Sequence, residues 1–275
     1  MKQSSLLRTS LFLLLLVFST MPYDHIANSE SNTSIPGSIH IECINHRFFL
    51  WIEPNTLPPE QGYPVLFLFH GASQHGFSWI IGLNTWSKNQ MSFTKKALEQ
   101  GYFTICLESN RPVRPGPRAW DVFDEKITEN DDIQYIKQII SWLETTNFPV
   151  NRNNLFCAGF SSGAFMCSRI GLSTSDIFSA IALNSGCNAN SITLTNRGPQ
   201  FDLTTSFNIS SNHPPTFLLH GEQDQLVPVN CSKRYHLDLK KAGIDTDLII
   251  DPDKGHIWLS QQNDELLNWF NSYRV

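Results

Sequence analysis

From residue 65 onward the chain repeats one pattern: a short continuous apolar run, then a longer segment with apolar residues at helical spacing. The apolar runs fall at 65–70, 103–109, 155–160, 179–185, 216–220 and 247–251. The helical segments fall at about 90–100, 131–145, 162–173, 230–242 and 258–271. A strand with no polar alternation is covered on both faces, and parallel neighbours need a crossover that a helix supplies. Two earlier runs, 38–44 and 47–53, nearly alternate, as a partly exposed hairpin would. A leading hairpin followed by strand–helix alternation predicts a single α/β domain over residues 37–275. Its sheet is eight-stranded and mostly parallel, with helices on both faces.

Composition narrows the function classes. Apolar residues make up 41% of the 275 and charged residues 16%, which excludes a disordered chain, and the net charge of −5 excludes a polyanion-binding surface, so no nucleic-acid partner is expected. Residues 1–29 read as a secretory signal and a disordered start. Lys2 and Arg8 flank the apolar run of residues 11–18, which is too short to span a bilayer, and cleavage falls near Ser19 and Thr20 or near Ala27 and Ser29. No membrane contact is expected once the signal is removed. Six cysteines fit export. Cys187 and Cys231 lie in polar, loop-like segments and form the expected disulfide, whereas Cys106 and Cys157 sit inside apolar runs as buried thiols. No CxxC spacing occurs and the cysteines do not cluster with histidines, so no metal site is expected.

Two segments break the rhythm. Residues 187–213 are polar, contain Pro and Asn and show no clear periodicity, and residues 110–130 carry Arg111-Pro112-Val113-Arg114-Pro115-Gly116-Pro117. Connections this long are usually functional, and the first reads as an excursion over the rim of a site.

The chemistry lies where one apolar run turns sharply into a helix. Gly159-Phe160-Ser161-Ser162-Gly163 follows the run at 155–160, so Ser161 falls on the turn with glycines two before and two after it. A serine hydroxyl there is a candidate nucleophile and needs a neutral imidazole held by a carboxylate. Among the histidines that follow, His256, in Asp253-Lys254-Gly255-His256 between the last strand and the last helix, stands where a base belongs. His220 ends a strand and reads as structural, and His236 sits mid-helix. Asp224 follows the strand at 216–220 and reads as the acid, with Glu222 as runner-up, and Asp251 and Asp253 read as turn residues. An oxyanion needs two N–H donors. Ser162, directly after the nucleophile, supplies one, and Ala72, just past Gly71 in the loop after the third strand, supplies the other, with Ser73 as runner-up. His70 reads as ordering that loop and His75 as solvated. Trp79, Trp86, Trp120 and Trp258 lie near candidate rim loops, and Trp120 and Trp258 are the expected substrate contacts.

These stretches carry a family resemblance. His70-Gly71, Asp131-Asp132-Ile133, Gly159 to Ala164, Asn184-Ser185-Gly186, His220-Gly221-Glu222-Gln223-Asp224 with Val227-Pro228, and Gly255-His256-Ile257-Trp258 resemble secreted polyhydroxybutyrate depolymerases and related feruloyl-esterase-like carboxylesterases. The resemblance covers roughly residues 40–270 and implies the α/β-hydrolase fold, a Ser161–Asp224–His256 triad, ester substrates and no cofactor. The chain departs from it where Ala72-Ser73-Gln74-His75 stands in place of a segment that often carries a cysteine, and where Phe165 replaces a common glycine. The expected function is a secreted serine esterase acting on a small or oligomeric ester. The alternatives are a serine peptidase on the same fold and an inactive binding protein.

Overall fold

Asn45 and His46 both take positive φ, 49° and 64°, the backbone of a two-residue turn whose twist matches that of the strands it joins. That turn closes the leading hairpin of β1 (Ile39–Ile44) and β2 (Arg47–Ile52). The computed structural model describes residues 35–109, 111–112, 118–123, 129–174, 176–196 and 198–275, and residues 35–275 form one unit. The expected signal segment 1–29 and Arg114 of the 110–130 segment lie outside the described residues.

Six further strands follow: β3 (Tyr63–Phe69), β4 (Phe103–Leu107), β5 (Val150–Phe160), β6 (Ala180–Asn184), β7 (Thr216–Gly221) and β8 (Thr246–Asp251). They assemble in the order β1-β2-β4-β3-β5-β6-β7-β8, with only the β1–β2 and β2–β4 pairings antiparallel. This is the mostly parallel eight-stranded sheet in a single domain that the alternation predicts, and it is the α/β-hydrolase fold that the resemblance implies.

Period-two geometry divides the core. In β3, Val65, Phe67 and Phe69 point to one face and Leu66 and Leu68 to the other, and in β5 Cys157 and Phe156 divide the same way. The first face is covered by α2 (Asp131–Thr145), α3 (Ser162–Ser173) and α4 (Val229–Lys241) through Ile136, Met166 and Leu239. The second is covered by α1 (Thr85–Glu99) and α5 (Asn263–Asn271) through Phe93 and Phe270. Asn84 caps α1 by accepting from the Ser87 N–H, and Asn130 caps α2 by accepting from Asp132 and Ile133.

The excursion at 187–213 has more order than its composition suggests. It carries a small antiparallel hairpin, Ile192–Thr195 paired with Gly198–Phe201. A disulfide between Cys187 and Cys231 ties its base to the first turn of α4, and among the described residues Cys43, Cys106, Cys157 and Cys167 are free. Closing a loop of separation 44 restrains the unfolded chain by about 4 kcal/mol. Cys187→Ser with Cys231→Ser is therefore expected to lower the free energy of unfolding by about 3–4 kcal/mol, read as a fall in the urea midpoint. A midpoint unchanged by the double substitution would contradict this.

Candidate active site

Ser161 stands between the end of β5 and the start of α3, with φ 54° and ψ −118°. A non-glycine residue in that region carries about 1–3 kcal/mol of strain, and the crossing around it holds it there. The crossing is tight enough to demand glycine on both sides. A Cβ on Gly159 would lie 2.2 Å from the Gly163 carbonyl oxygen, and one on Gly163 would lie 2.2 Å from that of Phe69. The Ser161 N–H donates to the Asn184 carbonyl, 2.9 Å away, anchoring the turn to β6.

Three elements far apart in sequence bring their side chains to this turn. His256, on the loop after β8, has its Nε2 2.9 Å from Ser161 Oγ and its Nδ1 2.7 Å from Asp224 Oδ2. Asp224, on the loop after β7, accepts at Oδ1 from the backbone N–H groups of Leu226 and Val227, at 2.8 and 2.9 Å. Burial alone would raise its carboxyl, but hydrogen bonds from His220, His256 and the Val227 N–H outweigh burial and hold it well below the usual carboxylate range. An ionised Asp224 accepts only, which assigns the His256 proton to Nδ1 and leaves Nε2 to accept from the serine hydroxyl. The runner-up acid Glu222 is turned to the surface and paired with Lys233 at 3.1 Å.

The loop after β3 is held by buried polar groups. His70 is fully buried, and burial lowers its pKa to about 4. Its Nδ1–H donates to the Gly71 carbonyl at 2.7 Å, and its Nε2 accepts from the Ser109 N–H at 3.1 Å. In a trans peptide the C=O and the following N–H point oppositely, so gripping the Gly71 carbonyl fixes the direction of the Ala72 N–H. The neighbouring N–H groups are committed elsewhere, Gly71 to Gln74 Oε1 and Ser73 to the Arg118 carbonyl, which removes Ser73 as a donor. Ala72 and Ser162 both line the cavity beside Ser161. Glu108 stabilises the same loop through the Gly76 N–H at 2.9 Å, His75 at 2.9 Å, and Arg118. His75 is thus an anchor as well as solvated, and Arg118 is paired with Glu108.

The cavity measures ≈ 280 Å³. Among the described residues, its lining apart from Ser161, Ser162 and His256 is apolar, with Trp120 and Phe165 on one side, Ile192, Leu194 and Phe201 of the rim hairpin on another, and Leu226 and Val227 beside Asp224. Trp120 donates through Nε1 to the His70 carbonyl at 2.8 Å, and its N–H donates to Ser162 Oγ at 3.1 Å. Its loop is tied down by Asp132, which accepts from the Asp121 N–H at 2.6 Å while pairing with the buried Arg47 at 2.5 Å.

Trp258 corrects the expectation of a substrate contact. Its indole is 1% exposed and packs between Trp79 and Phe93, at 4.9 and 5.0 Å, in the core under α1 and α5, with Nε1 donating to Asn263. Two residues beyond His256 the chain has already turned inward. Trp79 is buried in the same core, and Trp86 is exposed and away from the cavity. Sequence reasoning also missed the rim contacts Ile192, Leu194 and Phe201. The alternation in Ile192-Thr193-Leu194-Thr195 before Gly198 was the signal that would have found them.

The sequence profile of the prolyl oligopeptidase family matches residues 121–273, a span that contains Ser161, Asp224 and His256. The chain belongs to this family. Among curated proteins, it is 26% identical to the poly(3-hydroxyoctanoate) depolymerase of Pseudomonas fluorescens over 84% of this chain and 81% of that protein. Among solved structures, a ferulic acid esterase from Anaeromyces mucronatus in complex with ferulic acid superposes with a TM-score of 0.61 at 16% identity, covering 92% of this chain and 94% of that one. The acylaminoacyl peptidase of Pyrococcus horikoshii superposes with a TM-score of 0.62 at 16% identity, covering 92% of this chain but only 44% of that one. At these identities the structural likenesses establish the α/β-hydrolase fold. Fold and family together make the chain a hydrolase.

Proposed function

We propose that the protein is a secreted serine carboxylesterase whose nucleophile, base and acid are Ser161, His256 and Asp224. The observation that carries this is the unbroken line of hydrogen bonds from Ser161 Oγ through His256 to Asp224, beside a cavity lined by apolar side chains such as Trp120, Phe165 and Leu226. As Ser161 Oγ attacks the ester carbonyl carbon, its proton passes to His256 Nε2 and the carbonyl oxygen becomes an oxyanion facing the Ala72 and Ser162 N–H groups. Collapse breaks the bond to the alcohol oxygen, which takes the proton from His256 and leaves an acyl-serine. Water then attacks that acyl carbon with His256 as base, releasing the acid and restoring the serine.

The apolar lining favours an ester of an aliphatic or aromatic acid over a peptide, because among the described residues no acidic side chain lines the cavity to receive an amino terminus. The depolymerase relative supports hydroxyalkanoate oligomers as candidate substrates, and the ferulic acid esterase supports aryl esters. Secretion rests on the apolar run at residues 11–18 behind Lys2 and Arg8, together with the Cys187–Cys231 disulfide.

The test is to treat the mature protein with a fluorophosphonate and with nitrophenyl esters, hydroxyalkanoate oligomers, methyl ferulate and blocked peptides. Labelling at Ser161 is expected, with ester turnover exceeding peptide turnover by at least about 100-fold in kcat/KM. Peptides cleaved faster than esters would establish the peptidase instead.

A further inference from the structure

The Asp224 carboxylate has a second imidazole beside it. His220 closes β7 four residues before Asp224 and is fully buried. Its Nε2 faces two oxygens, the Val227 carbonyl at 3.0 Å and Asp224 Oδ2 at 3.2 Å. Neither an ionised carboxylate nor a carbonyl can donate, so Nε2 carries a proton that the two acceptors share. Behind the ring, Nδ1 lies 2.6 Å from Ser232 Oγ, and that hydroxyl lies 2.7 Å from the Gly186 carbonyl. Ser232 follows Cys231 and Gly186 precedes Cys187, so the two segments that hold the ring from behind are joined by the disulfide.

We infer that His220 is a positioning residue that fixes the rotation of the Asp224 carboxylate toward His256. The terminal torsion of an aspartate is broad and weakly restrained by itself. The amides of Leu226 and Val227 hold the carboxylate through Oδ1, and because both oxygens turn together about the Cβ–Cγ bond, a donor on Oδ2 restrains the same rotation from its other end. His220 meets Oδ2 alongside His256, and its hold on the Val227 carbonyl restrains the loop that carries the carboxylate. The inference rests on the proposed triad and adds to it a relay from the disulfide through Ser232 and His220 to the acid.

The nitrogens of two amide side chains separate positioning from packing. Gln at 220 places its amide nitrogen near the His Nε2 position and keeps the donor to Asp224. Asn reaches only the Nδ1 position, so it keeps the Ser232 contact and withdraws from the acid. With a nitrophenyl ester, His220→Asn and His220→Leu are expected to lower kcat about 10- to 100-fold at a KM within about twofold. His220→Gln is expected to stay within about fivefold of the wild type, and the rate of fluorophosphonate labelling follows kcat in all three. Gln as damaged as Leu, or Asn and Leu as active as the wild type, would overturn the positioning role while leaving the triad intact. A wild type that neither labels nor turns over esters would overturn the triad and this role with it. Imidazole nitrogen spectra of the wild type bear on the point without any variant: a His220 ring with its proton on Nδ1 alone contradicts the inference.

Discussion

Ser161→Ala is expected to reduce ester turnover by a factor of about 10⁴–10⁶ while the protein remains folded. The hydroxyl is the only atom removed, and neither neighbour replaces it. Ser162 Oγ already accepts the Trp120 N–H, and its residue begins α3 instead of occupying the turn. Residual activity would come from the Ala72 and Ser162 N–H groups and from the cavity, as expected when an oxyanion site outlives its nucleophile. A companion effect separates chemistry from backbone strain. Alanine keeps the Cβ and so keeps the cost of φ 54°, whereas glycine removes it. Ser161→Gly is therefore expected to be as inactive as Ser161→Ala but more stable by about 1 kcal/mol in urea. Ester hydrolysis by Ser161→Ala within tenfold of the wild type would remove Ser161 from the reaction.

The proposed site was legible in the sequence where local rules determine it. A continuous apolar run entering a tight glycine-flanked turn has few other structures open to it, and the order serine, aspartate, histidine follows from strands laid down in parallel. Strand β5 shows where such rules stop. It begins at Val150, and its first residues, Asn151 to Asn154, are too polar to read as strand, yet Tyr63 and Pro64 of β3 pair with that end. The last helix begins at Asn263 instead of 258 because Trp258 and Leu259 are drawn into the core under α1 and α5 before the helix can form. His220 marks a different limit. Its place at a strand end reads as structural, and only the three-dimensional meeting of β7, the Asp224 loop and α4 puts its Nε2 beside the acid. Trp120 and Trp258 looked equivalent on the same ground, aromatic residues near rim loops. The tertiary path separated them, because one loop is tied across the cavity by Asp132 while the other dives beneath the sheet.

Below pH 6.5 the protein is expected to lose stability steeply, because two buried histidines are neutral in the fold. Burial lowers the pKa of both His70 and His213 from the ordinary value of 6.5 to about 4. Each ring donates through Nδ1–H to a backbone carbonyl, that of Gly71 or Pro214, and accepts at Nε2, from the Ser109 N–H or the Tyr235 hydroxyl. A second proton on His70 would face a backbone N–H that cannot turn away. As pH falls below 6.5 the unfolded chain therefore binds protons that the folded chain refuses. The stability held above pH 6.5 is lost progressively as pH falls toward 4, by about 2 kcal/mol per histidine at pH 5 and about 3 at pH 4. The depressed carboxylates act in the same direction at lower pH. The hydrogen bonds and charges that hold Asp224 and Glu108 below their ordinary values, 3.8 and 4.5, stabilise the fold above those values and are lost as pH falls through the folded ones. Together the two histidines amount to about 6 kcal/mol at pH 4, comparable with the whole stability of an ordinary domain. Urea midpoints measured at pH 7.5, 5 and 4 should fall at constant m-value, and His213→Gln should lower the pH 7.5 midpoint yet flatten the dependence between pH 7.5 and 5 by about 2 kcal/mol. Because protonating His70 at Nε2 sets an N–H against the Ser109 N–H and so dislodges the ring that grips the Gly71 carbonyl, activity should fall with stability instead of outlasting it. A midpoint that stays level from pH 7.5 to 5 would mean that both rings take up protons in the fold as readily as in the unfolded chain.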